Sequence, residues 1–459
     1  MWWIRRSCGL RHRADLSQEV IQVYKNIGKH TGLVLSLAIP LTIGFSQTSF
    51  AQEEEMIEEV VTTGTRSRAR SVEDSPAPID VLSAEYFTDQ GDTDLVNLVR
   101  NIVPSYNVNS QPISDAATIV RPANLRGLAP DHTLVLVNGK RRHRAAVIYW
   151  LGNGVADGAQ GPDISAIPSI ALKQVEVLRD GAAAQYGSDA IAGVMNFILK
   201  DEPEGLTVEG KWGQYQEGDG DKYSVAANLG LPLSDAGYAN FSFEYGESDA
   251  TDRSVQRDDA AALIAAGNTA VANPAQIWGS PEITNDVKLF ANFGLDLGGG
   301  SSAYMHGNYA SKHVDGGFYF RNPNTRGAVF SGDGGETLLI GDLQLAETGV
   351  SAGCPVVTIT NDVPDPTALA EVFSRDECFS FQEIFPGGFT PRFGGDVKDA
   401  ALAAGVRGEM ENGLRWDVSA GYGYNDVDFF IPITIVSRRN PFKRVLDLPG
   451  YIGFIKAHE

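Results

Sequence analysis

The densest group of basic side chains in the sequence follows a predicted hairpin turn. The dipeptide Asn138-Gly139 is typical of a two-residue β-turn, because both residue types tolerate positive φ. Five basic residues come directly after it: Lys140, Arg141, Arg142, His143 and Arg144. Guanidinium groups match the planar geometry of carboxylates and phosphates. Residues 141–144 are therefore candidate ligand-facing residues for an anionic ligand, and a solvated hairpin arm is the alternative.

Two cysteines form the second candidate for chemistry. Cys354 and Cys378 lie 24 residues apart in a Gly- and Pro-rich stretch. In an oxidising compartment such a pair can close a loop, so we predict a disulfide. Two free thiols, or a metal held by two thiolates without a nearby histidine, are the alternatives.

The sequence contains no recognisable set of catalytic residues. The sequence contains no Gly-x-Ser-x-Gly, His-Glu-x-x-His or Cys-x-x-Cys motif, and its 7 histidines are scattered. Residues 205–211 resemble the start of a phosphate-binding loop, but Trp212 stands where a Ser or Thr would bind magnesium. A formal net charge of -21 argues against nucleic acid. We therefore predict no enzyme, no cofactor, no metal site and no nucleic-acid partner.

An apolar run near the N-terminus predicts an export signal. Residues 33–45 follow Lys25 and Lys29 and precede a small-x-small cleavage pattern that ends at Ala51. A buried core helix is the alternative, and a proline and a glycine within the run argue against it. We predict a signal region at 1–51 and, because export brings the chain to a compartment that permits disulfides, a bridged cysteine pair.

A β-branched run lies within the next segment, residues 52–75. It consists of Ile57, Glu58, Glu59, Val60, Val61, Thr62, Thr63 and Gly64. The run is flanked by charge and has nothing nearby to pair with. Such a segment suits a mobile strand that adds to the edge of a partner's sheet, and a disordered linker is the alternative.

Residues 76–204 are expected to form a compact α+β domain. Leu95, Leu98, Val99 and Ile102 mark one face of a helix that ends before Pro104. Strands are predicted at 134–137, 174–178 and 194–199, with turn residues between the last two. The change of period after this domain predicts a second kind of structure.

From Leu206 onward, apolar and polar residues alternate, which predicts seven antiparallel strands of about 10 residues each. The predicted strands are 206–212, 223–231, 239–245, 287–297, 303–309, 402–410 and 414–424. Their connections are, in order, 216–221, 232–237, 249–283, 298–301, 321–396 and 412–413. The second, fourth and sixth are tight turns, whereas the third and fifth are long. Sorting loops by length on two sides of a sheet is typical of a membrane barrel with short periplasmic turns and long external loops. Residues 205–430 are thus the predicted N-terminal part of a β-barrel.

Four segments then resemble, in order, the motifs of TonB-dependent outer-membrane receptors. They are 125–128, 134–140, 175–181 and 185–196, and 58–66 resembles the TonB-box region of the same family. The resemblance makes residues 57–64 TonB-contacting. It also assigns a set of plug-motif residues: Arg126, Gly127, Asn138, Gly139, Arg179, Asp180, Gly181, Tyr186, Gly187 and Gly193.

The resemblance implies a fold and a function. The expected fold is an α+β plug domain followed by antiparallel transmembrane β-barrel strands, about seven of about 22. The expected activity is energy-coupled uptake, across the bacterial outer membrane, of a scarce nutrient such as an iron–siderophore complex. The expected partners are TonB with its ExbB/ExbD complex, outer-membrane lipid and the small nutrient ligand.

The tail at 431–459 departs from the family pattern. The alternation fades there, basic residues outnumber acidic ones, and the family's terminal aromatic strand is not found. A truncated or frameshifted end is the expectation, which would make the chain a non-functional remnant. A third alternative is an exported all-β saccharide-binding module, with Tyr149 and Trp150 as stacking platforms.

Overall fold

The computed structural model describes residues 60–61, 63, 70–71, 78–108, 112–113, 115–121, 123–149, 157–431 and 455–458. The predicted signal region lies outside these ranges, as do Ile57, Glu58, Glu59, Thr62 and Gly64 of the predicted TonB-contacting segment. The described residues belong to one compact unit, 58–459. Within them, no helix combines the length and apolar character needed to cross a membrane.

The predicted TonB-contacting segment is paired, contrary to our expectation. Strand β1 (Val60–Val61) lies antiparallel to β2 (Arg70–Ser71), with Val60 opposite Ser71. The expectation of an unpaired run was wrong because β2 contains no β-branched residue, so its propensity gave no sign of a strand. Backbone hydrogen bonds between two strands can form without β-branched side chains.

A five-stranded sheet, the plug sheet, organises the first domain in the order β3-β8-β9-β6-β7. Only β6 and β9 run parallel; the other neighbours are antiparallel. The strands of this domain, with the separate pair β4-β5, are β3 (Ile79–Ser83), β4 (Tyr106–Asn107), β5 (Asn124–Leu125), β6 (Thr133–Val137), β7 (Lys140–Arg141), β8 (Leu172–Leu178) and β9 (Gly193–Leu199). Its α-helices are Ala84–Thr88, Leu95–Ile102, Asp115–Ile119 and Ala183–Tyr186.

The helix Leu95–Ile102 forms where the sequence predicts it. The Asp94 side chain caps its start by accepting a hydrogen bond from the Val96 backbone N–H at 2.9 Å. Four apolar side chains of the helix are buried in the domain core together with Val175, Val177 and Phe197. The helix thus covers the plug sheet with one apolar face.

Antiparallel strands form the second part of the chain, the wall sheet, in the order β10-β11-β12-β13-β14-β19-β20-β21. They are β10 (Gly205–Gly213), β11 (Lys222–Pro232), β12 (Gly237–Ser248), β13 (Glu282–Gly298), β14 (Ser301–Gly317), β19 (Arg392–Glu409), β20 (Arg415–Phe430) and β21 (Ile455–His458). The seven predicted strands and the fold class are confirmed. The eighth strand corrects the prediction, because the tail pairs with β20 at Asp426–Phe429 although its sequence does not alternate.

The later wall strands are longer than the sequence predicted. Strands β13 and β14 have 17 residues each and β19 has 18. At about 3.3 Å per residue, 17 residues extend about 56 Å, more than the roughly 25 Å apolar band of a membrane barrel. The extra residues lie at the ends that lead into the long connections. They carry polar pairs such as His313 with Asp396 and Arg392 with Asp315, so the apolar alternation did not reveal them.

The wall sheet is apolar on its outward face and polar on its inward face. Val208 on the outward face is 66% exposed, whereas Asn292 on the inward face is 4% exposed. Other outward residues are Leu206, Trp212, Val225, Phe241, Phe243, Leu289, Tyr309, Leu402, Val418 and Tyr422. Other inward residues are Asn228, Asn240, Ser242, Glu244, Lys288, His306, Asn308, Asp399 and Asn425. This inverts the usual arrangement of a water-soluble protein and suits contact with lipid.

The long connection at 318–391 folds into a small module of its own, the loop module. It contains β15 (Gly341–Asp342), β16 (Ile359–Thr360), β17 (Val363–Pro364), β18 (Cys378–Phe379) and the helices Leu343–Thr348 and Pro366–Ser374. Its core includes Leu338, Val357 and Val372. Cys354 and Cys378 are joined by a disulfide. The other long connection carries the helix Asp258–Ala265, whose Leu263 packs in a cluster with Phe320 of the loop module.

Replacing both cysteines should loosen the loop module. A bridge between residues 24 apart lowers the conformational entropy of the unfolded chain, which stabilises the folded module by about 3 kcal/mol. The double variant Cys354→Ser/Cys378→Ser should therefore be cleaved within 318–391 on the order of a hundred-fold faster, where cleavage requires local opening. Limited proteolysis with mass spectrometry measures this. Reduced wild-type protein should match the variant, and equal rates or alkylation of both thiols without reduction would contradict the prediction.

Candidate functional site

The basic residues predicted from the sequence lie between the plug sheet and the wall sheet. They belong to residues 138–146, the hairpin arm, which runs along the inward face of the wall. Near its turn, Lys140 Nζ donates to Asp417 at 2.9 and 3.0 Å and to Ser419 at 3.0 Å. At its far end, the Ala146 backbone N–H donates to Asn425 at 2.8 Å. Because Asp417 lies just after the start of β20, the turn points towards the short connections.

One carboxylate of the wall holds the middle of the hairpin arm. Asp399 accepts from Arg142 at 2.5 Å, and its other oxygen lies 2.8 Å from His143 Nε2. Asn308 and Asn425 also donate to Asp399, at 2.9 and 3.1 Å. The side chains of Arg142 and Asp399 are only 3% and 2% exposed. A charged pair this deeply buried requires such a set of hydrogen bonds.

The structure places the predicted ligand-facing residues in contact with groups of the protein itself. Arg142 and His143 are engaged by Asp399, and Arg141 pairs with Asp189 of the plug domain. Arg144 is exposed. The arm therefore does not form an open basic loop towards the long connections. The sequence predicted a hairpin correctly but contained no information on its direction.

The plug-motif residues hold segments of the plug domain to one another. Arg179 pairs with Asp80 at 2.8 Å, and Arg126 lies 3.8 Å from Asp180, so both partners lie in the plug domain. Gly193 has a φ of 150°, and a Cβ there would lie 2.2 Å from the Leu178 carbonyl oxygen. Only glycine fits at that position.

The remaining motif residues shape turns. The backbone is left-handed at Arg126, Gly127, Asn138 and Gly139, with φ of 59°, 74°, 48° and 76°. Gly187 has a φ of 101°. The Gly181 backbone N–H bonds the side chain of its neighbour Asp180, and the Tyr186 carbonyl accepts from Arg141 at 3.3 Å. Most of these residues thus form turns or local contacts of the plug domain, and Asn138 also bonds Asn292 of the wall.

A buried polar cluster that the sequence reasoning missed lies in the centre of the plug sheet. Glu176 on β8 is fully buried and accepts from the Thr63 backbone N–H at 2.9 Å and from the Thr63 hydroxyl. Asn196 on β9 donates to the Thr63 hydroxyl at 3.2 Å. The sequence did contain a sign of this cluster. Glu176 lies between two valines of a strand, Val175 and Val177, and a buried charge requires polar partners.

A second group of polar side chains, from both plug and wall, lies towards the long connections. It surrounds a cavity of about 110 Å³. Lys288 of the wall bonds Glu244 at 2.6 Å, and Arg121 pairs with Asp94 in the plug domain. Desolvation works to raise the pKa of Asp94, but the positive charges of Arg121, Lys288 and Lys312 outweigh it, and the pKa is lowered. Asp94 therefore stays ionised and able to pair.

The described residues show neither a metal site nor an open sugar-stacking surface at Tyr149. Among the described residues, no group of three or more His, Cys, Asp or Glu side chains could hold a metal ion. Tyr149 is buried and its hydroxyl donates to the Val120 carbonyl at 3.1 Å, so it cannot be a stacking platform for a sugar. Trp150 lies outside the described residues.

An α+β domain held by polar contacts against an inverted antiparallel sheet is the architecture of a plugged outer-membrane barrel protein. Residues 71–194 match the model of the TonB-dependent Receptor Plug Domain. Residues 71–194 are therefore identified as a plug domain similar to that of TonB-dependent receptors, as the motif resemblance predicted.

Curated relatives carry names of the same kind. The iron-regulated outer membrane virulence protein of Vibrio cholerae is 28% identical over 208 residues, covering 44% of this chain and 30% of that protein. The vitamin B12 transporter BtuB of Photobacterium profundum is 31% identical over 207 residues, with the same coverage of 44% and 30%. The chain thus spans about a third of the length of these relatives. Both names describe outer-membrane or transport proteins, not enzymes.

A solved structure is also similar. The ferric enterobactin receptor PfeA of Pseudomonas aeruginosa aligns with a TM-score of 0.47 and 16% identity, covering 84% of this chain and 45% of that one.

Removing the wall carboxylate should loosen the plug. Asp399→Asn leaves the Arg142 charge buried without its counter-charge, so the free energy of unfolding should fall by about 3 kcal/mol. The matched control is Asp417→Asn, which removes a partly exposed wall partner of Lys140 and should cost less than about 1 kcal/mol. Urea titration of the protein in detergent micelles measures both. Equal losses for the two variants would contradict the assignment of Arg142–Asp399 as the main charged contact.

Proposed function

We propose that this chain is part of an energy-coupled outer-membrane receptor that imports a scarce nutrient such as an iron–siderophore complex. The observation that carries the proposal is the polar junction between plug and wall. Charged pairs and amide hydrogen bonds join the two, as at Arg142–Asp399, Lys140–Asp417 and Asn138–Asn292. When such contacts break, water can take the place of the lost partner, at a net cost of about 1 kcal/mol for an ordinary hydrogen bond, so a plug held this way can be displaced and reseated.

The segment at 57–64 is the proposed attachment point for TonB. Within this segment, β1 pairs with β2, and the nearby Thr63 is buried. A partner that adds its own strand to this segment would replace that pairing. In this mechanism TonB, energised by the ExbB/ExbD complex, pulls on the segment and rearranges the plug. No covalent chemistry is needed.

The ligand class rests on the relatives and on charge. Proteins with a matching plug are named for ferric enterobactin and vitamin B12. On the side of the long connections, the plug and wall present both carboxylates and ammonium groups, such as Asp94, Asp286 and Lys288, around the polar cavity. A polar, multiply charged chelate is the kind of ligand such a surface can orient. Ferric siderophore is the class that we propose first.

Blocking strand addition should separate binding from uptake. In Val60→Pro the segment loses a backbone donor, so ligand binding at the cell surface should persist while energy-dependent accumulation is lost. Val60→Ile, which keeps the donor and the β-branched shape, is the matched control and should behave as wild type. Radiolabelled ferric enterobactin and cobalamin, supplied to cells without their own receptors for either, provide the measurement.

Accumulation of one of the two probes should also stop when an uncoupler dissipates the proton-motive force. The proposal fails if neither probe accumulates above the vector control. It also fails if accumulation survives both the uncoupler and the Val60→Pro change.

A further inference from the structure

A continuous series of hydrogen bonds connects the N-terminal segment with the barrel wall through the interior of the plug sheet. It begins at Thr63, directly after β1, and ends at Asn292 on β13. Three side chains lie between them: Glu176, Asn196 and Asn138. None of the three is exposed, and Glu176 and Asn196 lie opposite each other on neighbouring strands.

The first part of the series fixes the segment to the plug sheet. Both the N–H and the hydroxyl of Thr63 donate to the same oxygen of Glu176. The other oxygen of Glu176 accepts from Gln174 at 3.0 Å. A buried carboxylate needs such donors, because an unpaired charge in the interior is strongly unfavourable. Withdrawal of Thr63 therefore removes two of the donors to Glu176.

The centre of the series is the amide of Asn196, which bonds in both directions. Its Nδ2 donates to the Thr63 hydroxyl at 3.2 Å and to Glu176 at 3.4 Å. Its Oδ1 accepts from the Gly139 backbone N–H at 3.0 Å. An amide is the one side chain of this size that presents a donor on one side and an acceptor on the other in a fixed plane. A rotation that follows Thr63 would disturb the bond to Gly139.

The last part reaches the wall. Gly139 and Asn138 form the turn of the hairpin arm, and Asn138 Oδ1 accepts from the Leu199 N–H at 2.9 Å. Asn138 Nδ2 donates to Asn292 Oδ1 of the wall at 3.2 Å. Asn292 in turn donates to the Lys200 carbonyl at 2.9 Å. The turn of the hairpin arm, which contacts the wall, is thus hydrogen-bonded to Asn196, and Asn196 also bonds Thr63.

We infer that Asn196 is a positioning residue that couples docking of the N-terminal segment at Thr63 to seating of the hairpin arm on the wall. The inference rests on the proposed function, for which it names the internal route. Release of Thr63 weakens the contact of the turn with the wall, and loosening of the turn weakens the hold on Thr63. The two effects must be equal in size, because a coupling free energy acts in both directions.

The experiment measures amide hydrogen exchange of the whole chain in outer-membrane vesicles, with no ligand and no TonB. Asn292→Ala removes the wall end of the series. Exchange in the peptide that contains Thr63 should rise about five-fold, as expected for the loss of one hydrogen bond. The matched control is Asn240→Ala, which removes a different wall-to-plug hydrogen bond, the one to the Glu202 carbonyl at 2.7 Å. It should leave exchange at Thr63 unchanged.

The role of Asn196 is tested by combining the changes. In an Asn196→Ala background, Asn292→Ala should produce no further rise at Thr63. If Asn196→Ala does not fold, the reverse direction decides: Thr63→Val should raise exchange at Gly139 by the same factor, and Thr63→Ser, which keeps the hydroxyl, should not.

Three results would overturn the inference. They are no change at Thr63 in Asn292→Ala, an equal change in Asn240→Ala, or no response of Gly139 to Thr63→Val. Since the measurement uses no substrate and no energy source, its outcome is independent of the uptake experiment. Failed uptake with intact coupling would count against the proposed function alone.

Discussion

The inverted polarity of the wall sheet is the constraint on which the rest of the structure depends. A sheet that presents Val208 and Val418 outward and Asn292 and Asp399 inward places many polar side chains on its inward side. Whatever fills that side must satisfy polar groups, because burying them without partners is unfavourable. The hairpin arm of the plug domain forms hydrogen bonds with these groups, including asparagines of the wall. The plug domain also keeps its own apolar core around the helix Leu95–Ile102.

The plug domain has an apolar core of its own, and in the proposed mechanism it moves relative to the wall. The core of the plug excludes the wall almost entirely; Phe290 of β13 is the one wall side chain in that cluster among the described residues. A second cluster joins apolar side chains of both parts, such as Ile119 and Ala146 of the plug domain with Val397 and Val427 of the wall. The other joints are charged or amide contacts with named partners. A buried pair such as Arg142–Asp399 adds little net stability compared with apolar packing, but it defines one seating position, since a displaced arm would leave both charges unpaired.

Residue patterns revealed the local structure and left the long-range contacts hidden. Alternation predicted seven wall strands, the spacing of apolar residues before Pro104 predicted a helix, and Asn138-Gly139 marked a turn. Each of these depends on neighbours in the chain. The partner of Arg142 lies 257 residues away and that of Thr63 lies 113 away, so no local pattern could show them. Strand length was underestimated because the protruding ends need no apolar alternation. The β1–β2 pair was missed because Arg70–Ser71 has no strand propensity.

The orientation of the wall is the claim from which all of this follows, and site-directed spin labelling along β20 tests it directly. A nitroxide at each position from 416 to 424 reports collisions with oxygen, which concentrates in lipid, and with a water-soluble nickel chelate. The account predicts two profiles with a period of two residues and opposite phase, with oxygen favoured at Val418 and Tyr422 and the chelate at Ser419 and Gly421. Profiles in phase, or equal access of the chelate to both faces, would contradict it.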